Sequence, residues 1–280
     1  MVFAGCSFTW GQGLYFYHDM DKSNIPLNPH HYDESKLQSK DFLYKNTLRF
    51  PRLVANHFKT FDVVQDANGG TDDQSIYFIK ELFNIENSTA LTKSKFNFSD
   101  IDYVIIQLTQ PHRSSFKFEL ENTTYNTMIM ESDGITYNPY VKFDGNDWRY
   151  IKNEKKKFLE WLHQNNLSFE QGLNLASKQI LERVKEIMIH LSKHNVKTKI
   201  LAWTGHYEKL IQNDNFFKDK FIPISFDNKQ FNCIDALFRY DETMMITYDS
   251  EKKIQVVDDH PSKKCHQIIA ESIIKNIEMR

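Results

Sequence analysis

The sequence has few cysteines, prolines and glycines, and its net charge is only -2 over 280 residues. Its three cysteines, Cys6, Cys233 and Cys265, fit neither a disulfide framework nor paired zinc-ligand spacing, so free thiols and a reducing compartment are expected. The small net charge removes the usual reason to expect nucleic acid or an anionic membrane surface as the main partner. No apolar run approaches the length that spans a bilayer, and no basic segment with an apolar stretch stands before the first strand. A cytoplasmic protein is the expectation. With only nine Gly and seven Pro, a Gly pair carries more information than usual.

What is present is an ordinary globular composition, 26% charged and 40% hydrophobic, with room for one large domain. Apolar runs alternate with helical periodicity. Met1-Val2-Phe3-Ala4 reads as a buried strand stopped by Gly5-Cys6-Ser7. Leu48, Phe50, Leu53, Val54 and Phe58 recur at helical spacing around Pro51. Phe61 to Val64 reads as a second strand, running into Asp66-Ala67-Asn68-Gly69-Gly70-Thr71, and a helix follows with Ile76, Ile79, Leu82 and Phe83 on one side. The nearly continuous β-branched run Ile101–Leu108 is the pattern of a strand buried on both faces of a parallel sheet. Ser168 and Gln171 form a capping box before a long helix with Leu173, Ile180, Val184, Ile187 and Leu191 on one face. A fourth strand spans Thr198 to Trp203, Phe221 to Phe226 is a candidate short strand, and Lys253 to Val257 reads as a strand leading into a loop with His260. A helix from about Pro261 carries Cys265, Ile269, Ile273 and Ile277.

This order predicts an α/β fold, a three-layer α/β/α arrangement around a central, mostly parallel sheet. A single domain, 1–280, with insertions at about 15–45 and 114–167, is expected. Right-handed crossovers put the strand ends on one edge, where open α/β sheets bind ligands. Ser7, Gly70, Thr109 and His260 then become neighbours: a hydroxyl, a backbone donor, a polar side chain and a base. His112 and Arg113, at the exit of the third strand, either contact a negative charge on a substrate or cover the rim. The aromatics of the second insertion, Phe116, Phe118, Trp148 and Tyr150, form a small core of their own or stack on sugar rings. His30 and His31 are read as solvated, Cys6 as a small buried apolar residue, His206 as a rim residue and His266 as packed or capping.

Gly5-Cys6-Ser7-Phe8-Thr9 resembles the first block of the SGNH/GDSL hydrolases, and Asp258-Asp259-His260-Pro261-Ser262, with His266 after it, resembles the last. Between them, Ala67-Asn68-Gly69-Gly70-Thr71 is similar to the block that supplies the family's oxyanion glycine. The resemblance implies a flavodoxin-like SGNH hydrolase fold over about half the chain. It implies Ser7 as nucleophile, His260 as base and Asp258 as the orienting acid, with Asp259 as the fallback. The Ser7 and Gly70 backbone amides would serve the oxyanion. One departure stands out. Where the family places an Asn within Gly-x-Asn-Asp, this chain has Gln107-Leu108-Thr109-Gln110. Thr109 falls on the Asn position as a shorter-reaching donor, with Asn68 as a second supporting candidate. Loss of one oxyanion donor costs roughly 10²–10³ in rate.

The function expected on this resemblance is a serine esterase acting on an O-acyl, most simply an O-acetyl, ester of a small molecule or glycan, with no cofactor and no metal. The alternative is a family member with impaired chemistry that binds glycan or protein as an accessory component, for example of a virus particle or after release by lysis. A metal-dependent hydrolase built on Asp258, Asp259, His260 and the His30-His31 pair has no recognisable ligand spacing.

Overall fold

The computed structural model describes residues 1–12, 14, 17, 39–65, 71–85, 96–128, 148–250 and 253–278. Most of the first insertion, the His30-His31 pair and residues 66–70 therefore lie outside the described residues. For Ser7, Asp258 and Asp259 the description covers the backbone alone.

Strand β1 (Val2–Ala4) is followed by a one-turn helix, Ser7–Trp10, then by helices Ser39–Leu48 and Phe50–His57. Pro51 sits in the first turn of the last of these, where its missing N–H is not needed. β2 (Val63–Val64) leads to helix Asp72–Phe83, opened by a capping box in which the side chains of Thr71 and Gln74 each accept from the other's backbone N–H. β3 (Tyr103–Leu108) is buried at every position. β4 (Ser115–Leu120) and β5 (Thr123–Met128) form a hairpin through Glu121 and Asn122, both at positive φ, the geometry whose twist matches that of the paired strands. Helices Trp148–Gln164 and Phe169–Lys193 follow, the second capped by Ser168 and Gln171 as the sequence predicts. β6 (Lys197–Ala202) comes next, then short helices, a small hairpin of β7 (Ile224–Phe226) and β8 (Lys229–Phe231), and helix Ile234–Tyr240. β9 (Met245–Ser250) and β10 (Lys253–Pro261) precede the final helix, Lys263–Glu278.

The central sheet is parallel, in the order β2-β1-β3-β6, and Phe221 bridges Ile200 in parallel to carry it one position further. Alternate side chains serve its two faces, as the pleat requires. Phe3, Ile105, Leu201 and Trp203 pack on helices Phe50–His57 and Lys263–Glu278. Val2, Ala4, Val104, Ile106 and Ile200 pack on helices Asp72–Phe83 and Phe169–Lys193. The chain is thus an α/β protein with a parallel sheet covered on both sides, the expected fold class. None of the described helices is long and apolar enough to cross a membrane.

Two local expectations are corrected. His260 does not lie in a loop: β10 runs through Pro261 and pairs antiparallel with β9, in a ribbon outside the central sheet. The expected strand of 253–257 lengthens because Met245–Ser250 supplies the antiparallel partner, and register shifts on either side of Asp258 let the ladder continue through the polar Asp258-Asp259 pair. The candidate strand at 221–226 divides into the Phe221 bridge and β7. In the second insertion, Phe116, Phe118, Leu120, Phe158 and Leu162 close a core against Leu173 and Ala176 of the long helix, so the described aromatics there serve packing.

Candidate functional site

The turn that carries Ser7 is clamped from two neighbouring strands. Gly5 N–H donates to Gln65 Oε1 just beyond β2 (3.0 Å), and Gln107 of β3 donates its amide to Cys6 Sγ (3.3 Å) while accepting from the Thr9 hydroxyl. Gln107 is buried, and its side-chain oxygen and nitrogen are both used inside the turn. A Cβ on Gly5 would lie 2.2 Å from Thr9 Oγ1 and 2.9 Å from Gln107 Cβ, so the turn closes only around glycine. Ser7 is the first residue of the one-turn helix this clamp produces. The Cys6 thiol is pushed up in pKa by burial, against the smaller opposing effects of the Phe8 backbone amide and the Arg113 charge, which keeps it protonated and unreactive.

Phe8, the residue after Ser7, is 1% exposed and joins the two ends of the chain. Its ring lies 4.1 Å from that of Trp203 at the exit of β6, 5.9 Å from Phe238, and 5.2 Å, edge-on, from the imidazole of His260. Over Trp203 stands Arg113, its guanidinium carbon 5.0 Å from the ring centroid. Beside this group a cleft of about 390 Å³ opens between Gln110, Trp203, Asp235, Phe238, Arg239 and Met245. It lies where the chain leaves β3 and β6, the edge at which open α/β sheets bind ligands.

Thr109 is reached through a second, charged network. Its backbone N–H donates to Asp72 Oδ1 (2.8 Å), and Asp72 also accepts from the hydroxyls of Tyr207 (2.7 Å) and Ser114 (3.3 Å). Asp72 is fully buried in the first turn of its helix, and burial raises its pKa to about 6 despite these three donors. Tyr207 is pushed well above the usual phenol range by burial and by the Asp72 charge. Thr109 Oγ1 is itself buried and has no hydrogen-bond partner of normal geometry among the described residues, although it lies near enough to Cys6 to favour the thiolate slightly. Thr71 and Asp72 follow in sequence on residues 66–70, which include Asn68 and Gly70 and lie outside the described residues.

On the opposite face, His266 is fully buried, stacks on Phe50 at 5.7 Å and accepts from the Phe50 backbone N–H through Nδ1 (3.1 Å), capping helix Phe50–His57. That bond assigns the proton of the neutral ring to Nε2, which has no partner among the described residues. Burial, with the nearby charges of His260 and Arg49, lowers its pKa to about 3.

The structure thus brings together the Ser7 turn, the His260 ring and the exits of β3 and β6. Asp258, opposite Ile246 in β10, is two residues from His260 along the ribbon. Exposed His206 lies after β6, as expected of a rim residue, and packed His266 caps a helix. Sequence reasoning missed the Phe8–Trp203–Arg113 stack, which has no local signature, and the Asp72 network, whose one signal was the Thr71/Gln74 capping box. Among the described residues, no group of three or more His, Cys, Asp or Glu side chains is placed to hold a metal ion.

Comparison with known proteins adds little. No protein-family model matches the chain, and no curated protein does. A solved carbohydrate esterase, whose active site is described as displaying divergent catalytic and non-catalytic binding functions, aligns over 100% of this chain and 68% of its own. The identity is 12% and the TM-score 0.42, a level that carries no argument about chemistry.

Proposed function

We propose that this chain is a serine ester hydrolase of the SGNH/GDSL type, acting on an O-acyl, most simply an O-acetyl, ester of a small molecule or glycan. The observation that supports it best is the contact of Phe8, the neighbour of Ser7, with the His260 ring at 5.2 Å. In this reading Ser7 Oγ attacks the acyl carbon while His260 takes its proton. The bond from the acyl carbon to the alcohol oxygen then breaks, and His260 returns the proton to the departing alcohol. Water, deprotonated by the same imidazole, attacks the acyl-serine and releases the carboxylic acid and free Ser7. Asp258 orients the imidazole, with Asp259 as the alternative. The oxyanion is served by the backbone amides of Ser7 and Gly70, supported by Thr109 or Asn68. The chain forms one domain around this site, and no cofactor enters the reaction.

Labelling with a fluorophosphonate probe and release of 4-nitrophenol from its acetate ester test the reading. Wild type reacts in both assays and Ser7→Ala in neither, with an unchanged thermal midpoint. Equal rates in the two proteins would remove Ser7 from the chemistry. A second reading, a binder of glycan or protein without activity, is favoured by one observation: Thr109 Oγ1 is fully buried and so turned away from solvent. Folded wild-type protein that takes no label would remove the esterase reading in its favour.

A further inference from the structure

Five arginines have described side chains, and four of them sit on carboxylates. Arg49 and Arg52 share Asp62, Arg183 pairs with Asp73, and Arg239 pairs with Asp235. Arg113 differs. Among the described residues its guanidinium makes no ion pair, and it lies instead over the Trp203 ring at 5.0 Å. The cleft wall itself carries two carboxylates: Asp235 is taken by Arg239, and Glu242 makes no ion pair among the described residues.

The position of this cation is defined by its neighbours. Trp203 packs on Phe8 at 4.1 Å, Phe8 meets His260 at 5.2 Å, and the Arg113 charge is felt at the buried thiol of Cys6, the residue before Ser7. Two rings, Trp203 and Phe8, therefore separate Arg113 from His260, and the first of them lines the cleft together with Gln110. Stacking on the indole removes water from one side of the guanidinium and limits its rotation, while its five N–H donors remain in a planar fork that matches a carboxylate. A half-buried cation fixed in this way beside a cleft-lining ring, with no acceptor among the described residues, is prepared for an anion that arrives with the ligand.

We propose that Arg113 recognises a carboxylate on the substrate, so that the site takes anionic esters. The charge is carried either by the alcohol, as in an O-acetylated uronic acid, or by the acyl group, as in a hemisuccinate. This rests on the serine-esterase reading for its chemistry, but the binding of the anion does not.

Two measurements separate them. In the first, kcat/KM is compared for O-acetyl galacturonate against the O-acetyl methyl galactoside, and for 4-nitrophenyl hemisuccinate against 4-nitrophenyl acetate. The anionic member of at least one pair is preferred, and the pair concerned shows which side carries the charge. In Arg113→Gln that preference ratio falls roughly ten- to hundredfold, the size of one lost charge-assisted contact, and Arg113→Lys restores part of it. In the second, calorimetric titration of Ser7→Ala with galacturonate and with succinate gives binding to at least one that Arg113→Gln in the same background removes. Hydrolysis without anion preference, an equal loss on both members of each pair, or a failure of the Ser7→Ala protein to bind either anion overturns the assignment of Arg113 and leaves the esterase reading standing. Anion binding that depends on Arg113 in a wild-type protein that hydrolyses nothing keeps the assignment and overturns the chemistry.

Discussion

On the two faces of the sheet, a helix N-terminus is held by a buried ionisable group, and the two groups respond to acid in opposite senses. His266 accepts from Phe50 N–H only while neutral, and its folded-state pKa of about 3 lies below the ordinary histidine value of 6.5. Its contribution is therefore complete above pH 6.5 and is lost as the pH falls toward 3, because the unfolded chain takes up the proton first. Asp72 ties its helix to Thr109, Ser114 and Tyr207, and its folded-state pKa of about 6 lies above the ordinary 3.8. There the folded chain takes up the proton first, so the contribution is complete below 3.8 and is lost as the pH rises through 6. Burial is the leading cause in both cases. It favours whichever form is uncharged, which for the imidazole is also the form that can cap and for the carboxylate is the weaker acceptor.

Removing the histidine anchor should have the largest effect. His266→Ala loses the Phe50 cap and the stacked ring together, and an unfolding free energy lower by about 3 kcal/mol at pH 7 is expected from denaturant titration. A midpoint that hardly moves would show that the cap does not hold the helix. The acid limb of stability tests the opposite signs directly. Relative to wild type, His266→Ala should lose stability less steeply below pH 6.5, where a single such group contributes up to about 1.4 kcal/mol per pH unit. Asp72→Asn should lose it more steeply, by roughly 2 kcal/mol between pH 7 and pH 4, because the group that gains on acidification is gone. Parallel pH curves for Asp72→Asn and wild type would mean that Asp72 titrates near its ordinary value. The smallest effect is expected from Ser262→Ala. Ser262 Oγ accepts from Cys265 N–H at the start of the helix that carries His266 and donates to Thr243 O, and its loss should cost about 1 kcal/mol with both pH slopes kept. A changed slope would show that the cap also sets the burial of His266.

The parallel sheet was legible because strands buried on both faces leave continuous apolar runs, as β3 does from Tyr103 to Leu108. The helices were legible because Ile76, Ile79, Ile180, Val184, Ile269 and Ile273 all fall on faces that pack against that sheet. The β9–β10 ribbon was only half visible, since Asp258 and Asp259 interrupt the apolar pattern at the point where the register shifts. At the site, Ser7 and His260 could be nominated from two short blocks and a resemblance. Gly70 and Asn68 lie outside the described residues. Trp203 and Arg113 could not be brought to the Ser7 turn from sequence, because the contacts of Arg113 with Trp203 and of Trp203 with Phe8 are products of tertiary packing between residues far apart in the chain.

The contact between Phe8 and His260 also bears on when the site can exist. Its two halves sit near opposite ends of the sequence, so the loop that separates them closes over almost the whole chain, an arrangement of high contact order. During synthesis the Ser7 turn can be clamped by Gln65 and Gln107 long before the β9–β10 ribbon has been made. A chain interrupted before residue 245 would lack both the ribbon that carries His260 and the final helix that covers one face of the sheet, so the Phe8–His260 contact and that face of the core are completed together.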